Sequence, residues 1–451
     1  MLCIVFSLSL LDRTNISSAY IAGLSTSLSL TVSNRYNIAL LIFFIGYALL
    51  ELPSNLIIRR LGARIWLSFL ITAWGACVVG MGFVHDWKVL TVLRALLGVF
   101  EAGLFPGAVY IIGSWYRQFE TARRVSVFYM AALLASGFGP IVAYAFSLIS
   151  VGEGMYAEGW RWIFIIEGVA TVVAGLVAPF FLIEFPERVG FLTDRQKHIA
   201  VTRVSLEKQG AHLEHLTFMQ SLAMLLDWKV GVYCIQYFVA ASSVYSLAFF
   251  QPIILREGMG FSYALSQILA SPPYLFAVFA SLGFAWVSDK LKMRWPVLIA
   301  QSLTAIVGLL IILYTKPPGV RYFGLFLATF GTQSNVPATL AYGQNQTAKV
   351  QKRAVVAAAM ISVGAAGGIT GSTIFQSKDA PVGFCGSFNS FGREADEKQL
   401  YMPGMWATIA MQMLYTVVTV CMSMYMKRMN ALADEGKRPA LEGVEGFRYV
   451  P

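Results

Sequence analysis

The segment LRALLGVFEAGLFPGAVYIIGSWY, residues 93–116, decides the fold class of this chain. It contains 24 residues and only two charged side chains, and a helix needs about 20 mostly apolar residues to cross a bilayer. Similar segments recur along all 451 residues, of which 57% are hydrophobic and 13% are charged. Soluble domains have about 25% charged residues, so the composition predicts an all-α polytopic membrane protein and excludes a disordered chain or a small disulfide scaffold.

Twelve apolar segments are long enough to span a membrane. They cover about 1–28, 36–58, 65–84, 89–113, 124–150, 161–184, 229–251, 263–288, 295–315, 320–343, 354–376 and 401–427. We therefore expect two six-helix bundles, at 1–185 and 229–430, with a cytoplasmic linker at 186–228 and a cytoplasmic tail at 431–451. A signal peptide over the first 20 residues is disfavoured, because no Lys or Arg precedes the apolar stretch.

The basic residues predict the orientation of the spans. With both termini and the central linker in the cytoplasm, 23 of the 34 Lys and Arg residues fall in inside loops and 9 in outside loops. Such an excess marks the cytoplasmic side of a multi-pass protein, here expected in the plasma membrane. The formal charge of +10 is spread over many short loops, so we expect the lipid bilayer, and not a nucleic acid, as its partner.

Four charged side chains lie in the middle of predicted spans. Asp12 and Arg13 are adjacent in the first span, whereas Arg94 and Glu101 lie two helical turns apart on one face of the fourth. A charge at the centre of a membrane helix costs at least about 2.5–3.5 kcal/mol, so these residues mark either a functional site or structural ion pairs. An arginine and a glutamate that face a cavity suit a proton-coupled carrier of an anion.

Other polar and aromatic side chains either line a cavity or pack against neighbouring helices. The tenth span carries a polar cluster that ends at Asn335, and we expect it to line a cavity. Tyr47 of the second span is either an aromatic wall or a packing residue. Glu51 and Glu167 lie near the ends of their spans, and we expect them close to a membrane interface.

Several motifs together resemble one family. They include LLDRTNISSAYIAGL (10–24), the segment 93–116 and GWRWIFIIEG (159–168). The chain resembles the anion:cation symporter branch of the major facilitator superfamily, close to the fungal allantoate and nicotinate permeases. The resemblance implies proton-coupled uptake of a small organic anion, a carboxylate such as nicotinate or allantoate, by alternating access of two six-helix bundles.

The same resemblance implies roles for individual residues. Arg13 matches the arginine that binds the substrate carboxylate. Asp12 and Glu101 match the proton-linked acids, with Arg94 as the partner of Asp12. Tyr47 and Asn335 match positions that contact the substrate.

The gating loop of the superfamily is recognisable in both halves. AWVSDKLKMR (285–294) keeps Asp289, Lys290 and Arg294 of this loop. The equivalent loop of the first half, NLIIRRLGAR (55–64), lacks the aspartate of the motif. We therefore expect the usual gating salt bridge only in the second half.

Three other functional classes fit the sequence less well. A drug:proton antiporter of the same fold is disfavoured because only Gly139-Pro140 survives of its fifth-helix motif, and a non-transporting nutrient receptor is disfavoured by the short tail. No nucleophile–base set or metal-ligand cluster suggests an enzyme, and the pair His212 and His215 is a weak metal signal. We expect a monomer with no cofactor, in which the proton gradient supplies the coupling ion.

Overall fold

The computed structural model describes residues 1–450 except 33, 117, 152–153, 200–201, 203–222, 292, 348–349, 376–401, 438–439, 443 and 446. Its main helices form twelve segments, the fourth of which consists of two helices. They are α1 (Leu2–Ala19), α2 (Arg35–Leu61), α3 (Ala63–Met81), α4a (Trp87–Glu101) with α4b (Leu104–Trp115), α5 (Gln118–Ser147), α6 (Gly159–Phe181), α7 (Trp228–Ile253), α8 (Tyr263–Leu291), α9 (Trp295–Tyr314), α10 (Pro318–Asn345), α11 (Val350–Ile374) and α12 (Met402–Asp434). The predicted all-α polytopic fold is confirmed.

Nine of the spans within the described residues are apolar enough to cross a membrane by length and composition alone. The three long helices outside this group are α1, α2 and α10. Each of them carries buried polar side chains away from its ends, for example Asp12, Ser54 and Asn335. Lipid offers such groups no partner, so these polar side chains face the interior of the protein.

The helices pack mainly within each half of the chain. In the first half α1 packs on α5, α2 on α4a and α3 on α6; in the second half α7 packs on α11 and α9 on α10. The two halves meet where α5 contacts α8 and where α2 contacts α11, with α1 and α7 side by side between these pairs. The boundaries expected at 185 and 229 stay a prediction, because most of the intervening linker lies outside the described residues.

One face of the molecule is closed between the halves. We call it the opposite face, because it lies across the bundle from the face that carries the two chain termini. The Ser18 hydroxyl donates to Gln267 Oε1 over 3.0 Å, and Gln267 Nε2 donates to the Ser18 carbonyl over 3.2 Å. Asn37 Nδ2 donates to the Ser372 carbonyl over 2.8 Å. These bonds join α1 to α8 and α2 to α11, so both seams between the halves are closed on this face.

Two predicted spans are interrupted where backbone geometry requires it. The first does not run unbroken to residue 28, because α1 gives way to a π-helical turn, Tyr20–Leu24, in which Gly23 has a φ of 121° that L side chains rarely adopt. The fourth is broken between α4a and α4b, directly after Glu101. Gly98, just before this break, packs so closely on α2 that a Cβ atom would lie 2.0 Å from the Phe43 carbonyl oxygen. Polar residues of both spans therefore lie beside a break in the regular α-helix.

The tail after α12 folds back onto the termini face of the second half. A short hairpin, Ala440–Leu441 with Val444–Glu445, places Glu442 against Lys229 at the start of α7 and Lys352 at the start of α11. Asn430 then clamps the backbone of Tyr449 through two hydrogen bonds of 2.9 Å. This hairpin adds two strands that the sequence does not predict.

Candidate functional site

A cavity of about 150 Å³ lies between the two halves and is lined by residues from both of them. Its wall comes from both halves and is mostly aromatic and apolar. The rings are Phe6, Phe44, Tyr47, Phe105, Tyr129, Tyr237, Tyr245 and Tyr274. The polar lining is Arg13, Thr14, Asn15, Ser17, Ser18, Ser136 and Gln333. An enclosed space with many rings and few polar groups is the usual form of a small-molecule site.

Arg13 is the one ionisable cation among the described residues that line this cavity. Its Nε and Nη2 atoms both donate to Oε1 of Glu101, the Nε bond over 3.1 Å, and its Nη1 donates to the Tyr245 hydroxyl over 2.7 Å. The guanidinium carbon also lies 5.0 Å from the ring centroid of Phe43 and 5.2 Å from that of Tyr47. The arginine is thus held by one carboxylate, one hydroxyl and two rings, and it connects the two halves of the protein.

Glu101 ends α4a and faces away from lipid. Its side chain is 1% exposed, and its Oε1 also accepts a hydrogen bond from the Ser9 hydroxyl. Its second carboxylate oxygen, Oε2, accepts no hydrogen bond from the residues that the structure describes. All three donors therefore share one oxygen, and the Arg13–Glu101 pair is not a two-oxygen clamp.

The expected ion pair of Asp12 with Arg94 is not formed in the described structure. Asp12 Oδ2 accepts instead from Trp74 Nε1 over 3.1 Å and from the Thr171 hydroxyl over 2.9 Å. Arg94 Nη1 donates to the backbone carbonyl of Arg13 over 3.2 Å. The reason is helical geometry, because adjacent residues point about 100° apart around the axis. Asp12 therefore faces α3 and α6, whereas Arg13 faces α4a and α7.

The two expected substrate contacts are placed differently. Tyr47 lines the cavity beside Arg13, as a substrate-contact residue would. Asn335 is fully buried on another face of α10, where its Nδ2 donates to Gln412 Oε1 over 3.2 Å. Gln333 and Val336 are the residues of this helix that reach the cavity. The polar cluster of the tenth span thus signals an interior helix, but not which side chain faces the substrate space.

The gating-loop residues lie at the end of α8 and the start of α9, on the termini face. The ammonium of Lys290 lies 5.1 Å from the ring centroid of Trp286, one turn earlier in α8. Arg294 is the last residue before α9. The side chain of Asp289 lies outside the described residues, so the predicted gating salt bridge stays a prediction.

In the first half an acid from outside the loop contacts it. Both carboxylate oxygens of Glu184, which follows α6, accept backbone hydrogen bonds at the start of α3, from Ala63 over 2.9 Å and from Arg64 over 3.1 Å. A carboxylate at a helix N-terminus satisfies amides that have no partner in the helix. Glu184 thus joins the loop between α2 and α3 to the end of α6, although this loop lacks the aspartate of the motif.

No group of three or more potential metal-binding side chains was found in the part of the chain that the structure describes. The His212–His215 pair lies outside this part. The chemistry of the cavity is therefore that of one cation, its carboxylate partner and a ring of aromatic side chains.

Sequence comparisons agree with this architecture. The family model of the Major Facilitator Superfamily matches residues 2–372. The chain is 30% identical to the MFS transporter prlL of a fungal species (strain NRRL 50135), over 99% of this chain and 87% of that protein. It is 27% identical to the high-affinity nicotinic acid transporter of Saccharomyces cerevisiae, over 94% of this chain and 75% of that protein.

Solved structures show the same fold at low identity. The D-xylose-proton symporter superposes with a TM-score of 0.69 at 13% identity, covering 93% of this chain and 95% of that chain. A bacterial homolog of the human lysosomal transporter Spinster, inward-facing and occupied, gives 0.70 at 18% identity, over 94% and 95%. The family and these relatives are transporters, not enzymes. The chain therefore belongs to the Major Facilitator Superfamily and is a multi-pass membrane transporter.

Proposed function

We propose that this transporter takes up a small monocarboxylate with a single ring, nicotinate being the first candidate, together with a proton. The observation that carries the proposal is the cavity, in which a single arginine is surrounded by aromatic rings. A planar guanidinium binds a carboxylate through two parallel hydrogen bonds. The rings of Tyr47 and Tyr245 beside it offer stacking surfaces to a flat substrate.

The size of the cavity supports a single ring. Its volume of about 150 Å³ is that of cavities known to hold one benzene molecule. A ring with one carboxylate fits if the carboxylate displaces Glu101 from Arg13. A two-ring acid would require the walls to move apart. The printed name of the yeast relative, a nicotinic acid transporter at 27% identity, agrees with this class.

The Arg13–Glu101 pair supports proton coupling. When a substrate carboxylate takes over Arg13, Glu101 is left buried without its ion-pair partner. An unpaired buried carboxylate is strongly unfavourable, so Glu101 binds a proton at this step. The substrate anion and the proton then cross together, and the loaded site carries no more charge than the empty one.

The membrane setting and the transport cycle belong to the same proposal. We place both termini in the cytoplasm of a plasma-membrane protein that acts as a monomer, with the closed, opposite face outside. Alternating access would rock the bundle of 1–185 against that of 229–430 around the cavity. Asp289, Lys290 and Arg294 would then act in closing the cytoplasmic face.

A proton-coupled antiporter that exports cationic drugs is the second candidate. A cation in this cavity would meet the guanidinium of Arg13, and like charges repel strongly in a desolvated site. The lining therefore favours an anionic substrate. In the test below, an acid exterior drives uptake by a symporter and export by an antiporter. The direction of net transport in the pH gradient therefore separates the two candidates.

Uptake of labelled nicotinate into proteoliposomes, acid outside and neutral inside, tests the proposal. Nicotinate should accumulate only while the pH gradient lasts, whereas nicotinamide, with the same ring and no charge, should not accumulate. Naphthoate, a two-ring acid, should compete weakly. Equal uptake of nicotinate and nicotinamide, or accumulation that ignores the pH gradient, would contradict the proposal.

A further inference from the structure

The first half contains a cluster of buried charged residues in which the acids outnumber the cations by one. Asp12, Glu101 and Glu167 are between 1% and 4% exposed, and the cations among them, Arg13 and Arg94, are 6% and 1% exposed. If all five groups were ionised, this cluster would carry one uncompensated negative charge in the membrane interior. Such a charge is strongly disfavoured, so charge balance calls for one bound proton in the empty transporter.

The contacts point to Glu167 as its holder. Glu101 is ion-paired with Arg13, and Asp12 accepts from two donors, Trp74 and Thr171. Arg94, fully buried, also needs an anion within electrostatic range, and Asp12 and Glu101 are its acidic neighbours. Among the described residues, by contrast, the neighbours that act on the charge of Glu167 are the acid Asp12 and the neutral amide of Asn15, and no cation is among them.

A proton on Glu167 would also supply a donor that is missing beside it. Asp12 Oδ1 is buried without a donor, and Asp12 is close enough to Glu167 for their charges to act on each other. The carbonyl oxygen of the protonated group can still accept from the Asn15 amide, which lies beside it. Glu167 is one helical turn from Thr171, which already binds Asp12, so both face α1 from α6.

We propose that Glu167 holds a resident proton and donates it to Asp12 in both the empty and the loaded transporter. The groups that face this carboxyl pair are Asn15 of α1, Trp74 of α3, Arg94 and Glu101 of α4a and Thr171 of α6. The O–H bond of Glu167 stays intact during transport. Glu167 is thus a positioning residue: it keeps Asp12 ionised within electrostatic range of Arg94, and it connects α1 to α6.

The consequence for coupling rests on the proposed function. In the empty transporter the cluster of five charged residues is neutral with one proton, on Glu167. With a bound monocarboxylate, the cluster and the substrate together are neutral with two protons, because Glu101 has bound a proton from water outside and will release it to water inside. One proton is therefore carried per monocarboxylate, although two are bound in the loaded state.

Infrared spectroscopy of the purified protein at neutral pH tests the inference, because protonated and ionised carboxyl groups absorb at different frequencies. Glu167→Gln should remove one protonated-carboxyl band from the spectrum of the empty protein, and Glu101→Gln should leave this band in place. Glu51→Gln, a buried acid outside the cluster, is the matched control and should also leave it in place. An unchanged protonated-carboxyl region in Glu167→Gln would overturn the proposal.

A second measurement covers the case in which Glu167→Gln cannot be purified. Asp12→Asn weakens the acceptor and should shift the frequency of the Glu167 band, whereas an unshifted band would contradict the pairing. Adding nicotinate to the wild type should create a second band that Glu101→Gln lacks. If nicotinate creates no second band but the Glu167 band is present, the proposed function fails and the resident proton stands. If nicotinate creates the second band but the Glu167 band is absent, the resident proton fails and the proposed function stands.

Discussion

Replacing Arg13 by lysine probes the substrate site directly, because lysine keeps the charge and removes the planar fork. In the empty site the two donors of Arg13 share one oxygen of Glu101. A substrate carboxylate can instead use both oxygens, which adds one charge-assisted hydrogen bond that lysine cannot reproduce. Such a bond contributes about 1.5–3 kcal/mol. Arg13→Lys should therefore weaken substrate binding by about 10- to 150-fold.

Isothermal titration of nicotinate into the purified variant measures this effect. Arg35→Lys is the matched control, since Arg35 lies at the start of α2, outside the cavity, where it contacts the Trp87 ring. The control should bind like the wild type. A dissociation constant for Arg13→Lys within about twofold of the wild type would refute the two-oxygen contact, since twofold is far below the loss of one charged hydrogen bond.

Two further variants test other contacts. Tyr245→Phe removes the hydroxyl that Arg13 binds but keeps the ring, so thermal unfolding should show a loss of about 0.5–1.5 kcal/mol while stacking on the substrate persists. For Glu442, desolvation alone would raise the pKa, but hydrogen bonds from Lys229 and Lys352 outweigh it and hold the pKa below its usual value. The stabilisation by the ionised carboxylate is therefore present near neutral pH and disappears as the pH falls through this lowered pKa. Glu442→Gln should melt below the wild type at neutral pH, and the difference in melting temperature should shrink towards acid pH; a constant difference would refute the charged clamp.

The sequence predicts the spans well because a bilayer imposes a simple rule on length and polarity. The mid-span charges also point to the cavity, since Arg13 lines it and Glu101 is paired with Arg13. What the sequence does not contain is the rotation of each helix about its axis. Asp12 and Arg13 are neighbours in the chain, but only the packing of α1 decides which of them meets Glu101.

The same limit explains the residues that were missed. Glu167 is expected near an interface by its place in the sixth span, but it lies two turns inside α6 and is 4% exposed. Gln333 and Asn335 belong to one polar cluster, and only the first faces the cavity. The contacts of Glu442 with two helix starts join residues 90 and 213 positions apart, and no local sequence pattern predicts them.

In the proposed transport cycle, Glu101 is the group that couples the proton to the substrate. In proteoliposomes with acid outside, the wild type should concentrate nicotinate by about tenfold for each unit of pH difference, as one proton per anion requires. Glu101→Gln mimics the protonated form, so it should still exchange labelled for unlabelled nicotinate across the membrane but should not concentrate it at any pH difference. If Glu101→Gln concentrates nicotinate as the wild type does, the coupling proton binds elsewhere and the exchange of partners at Arg13 is not the basis of transport.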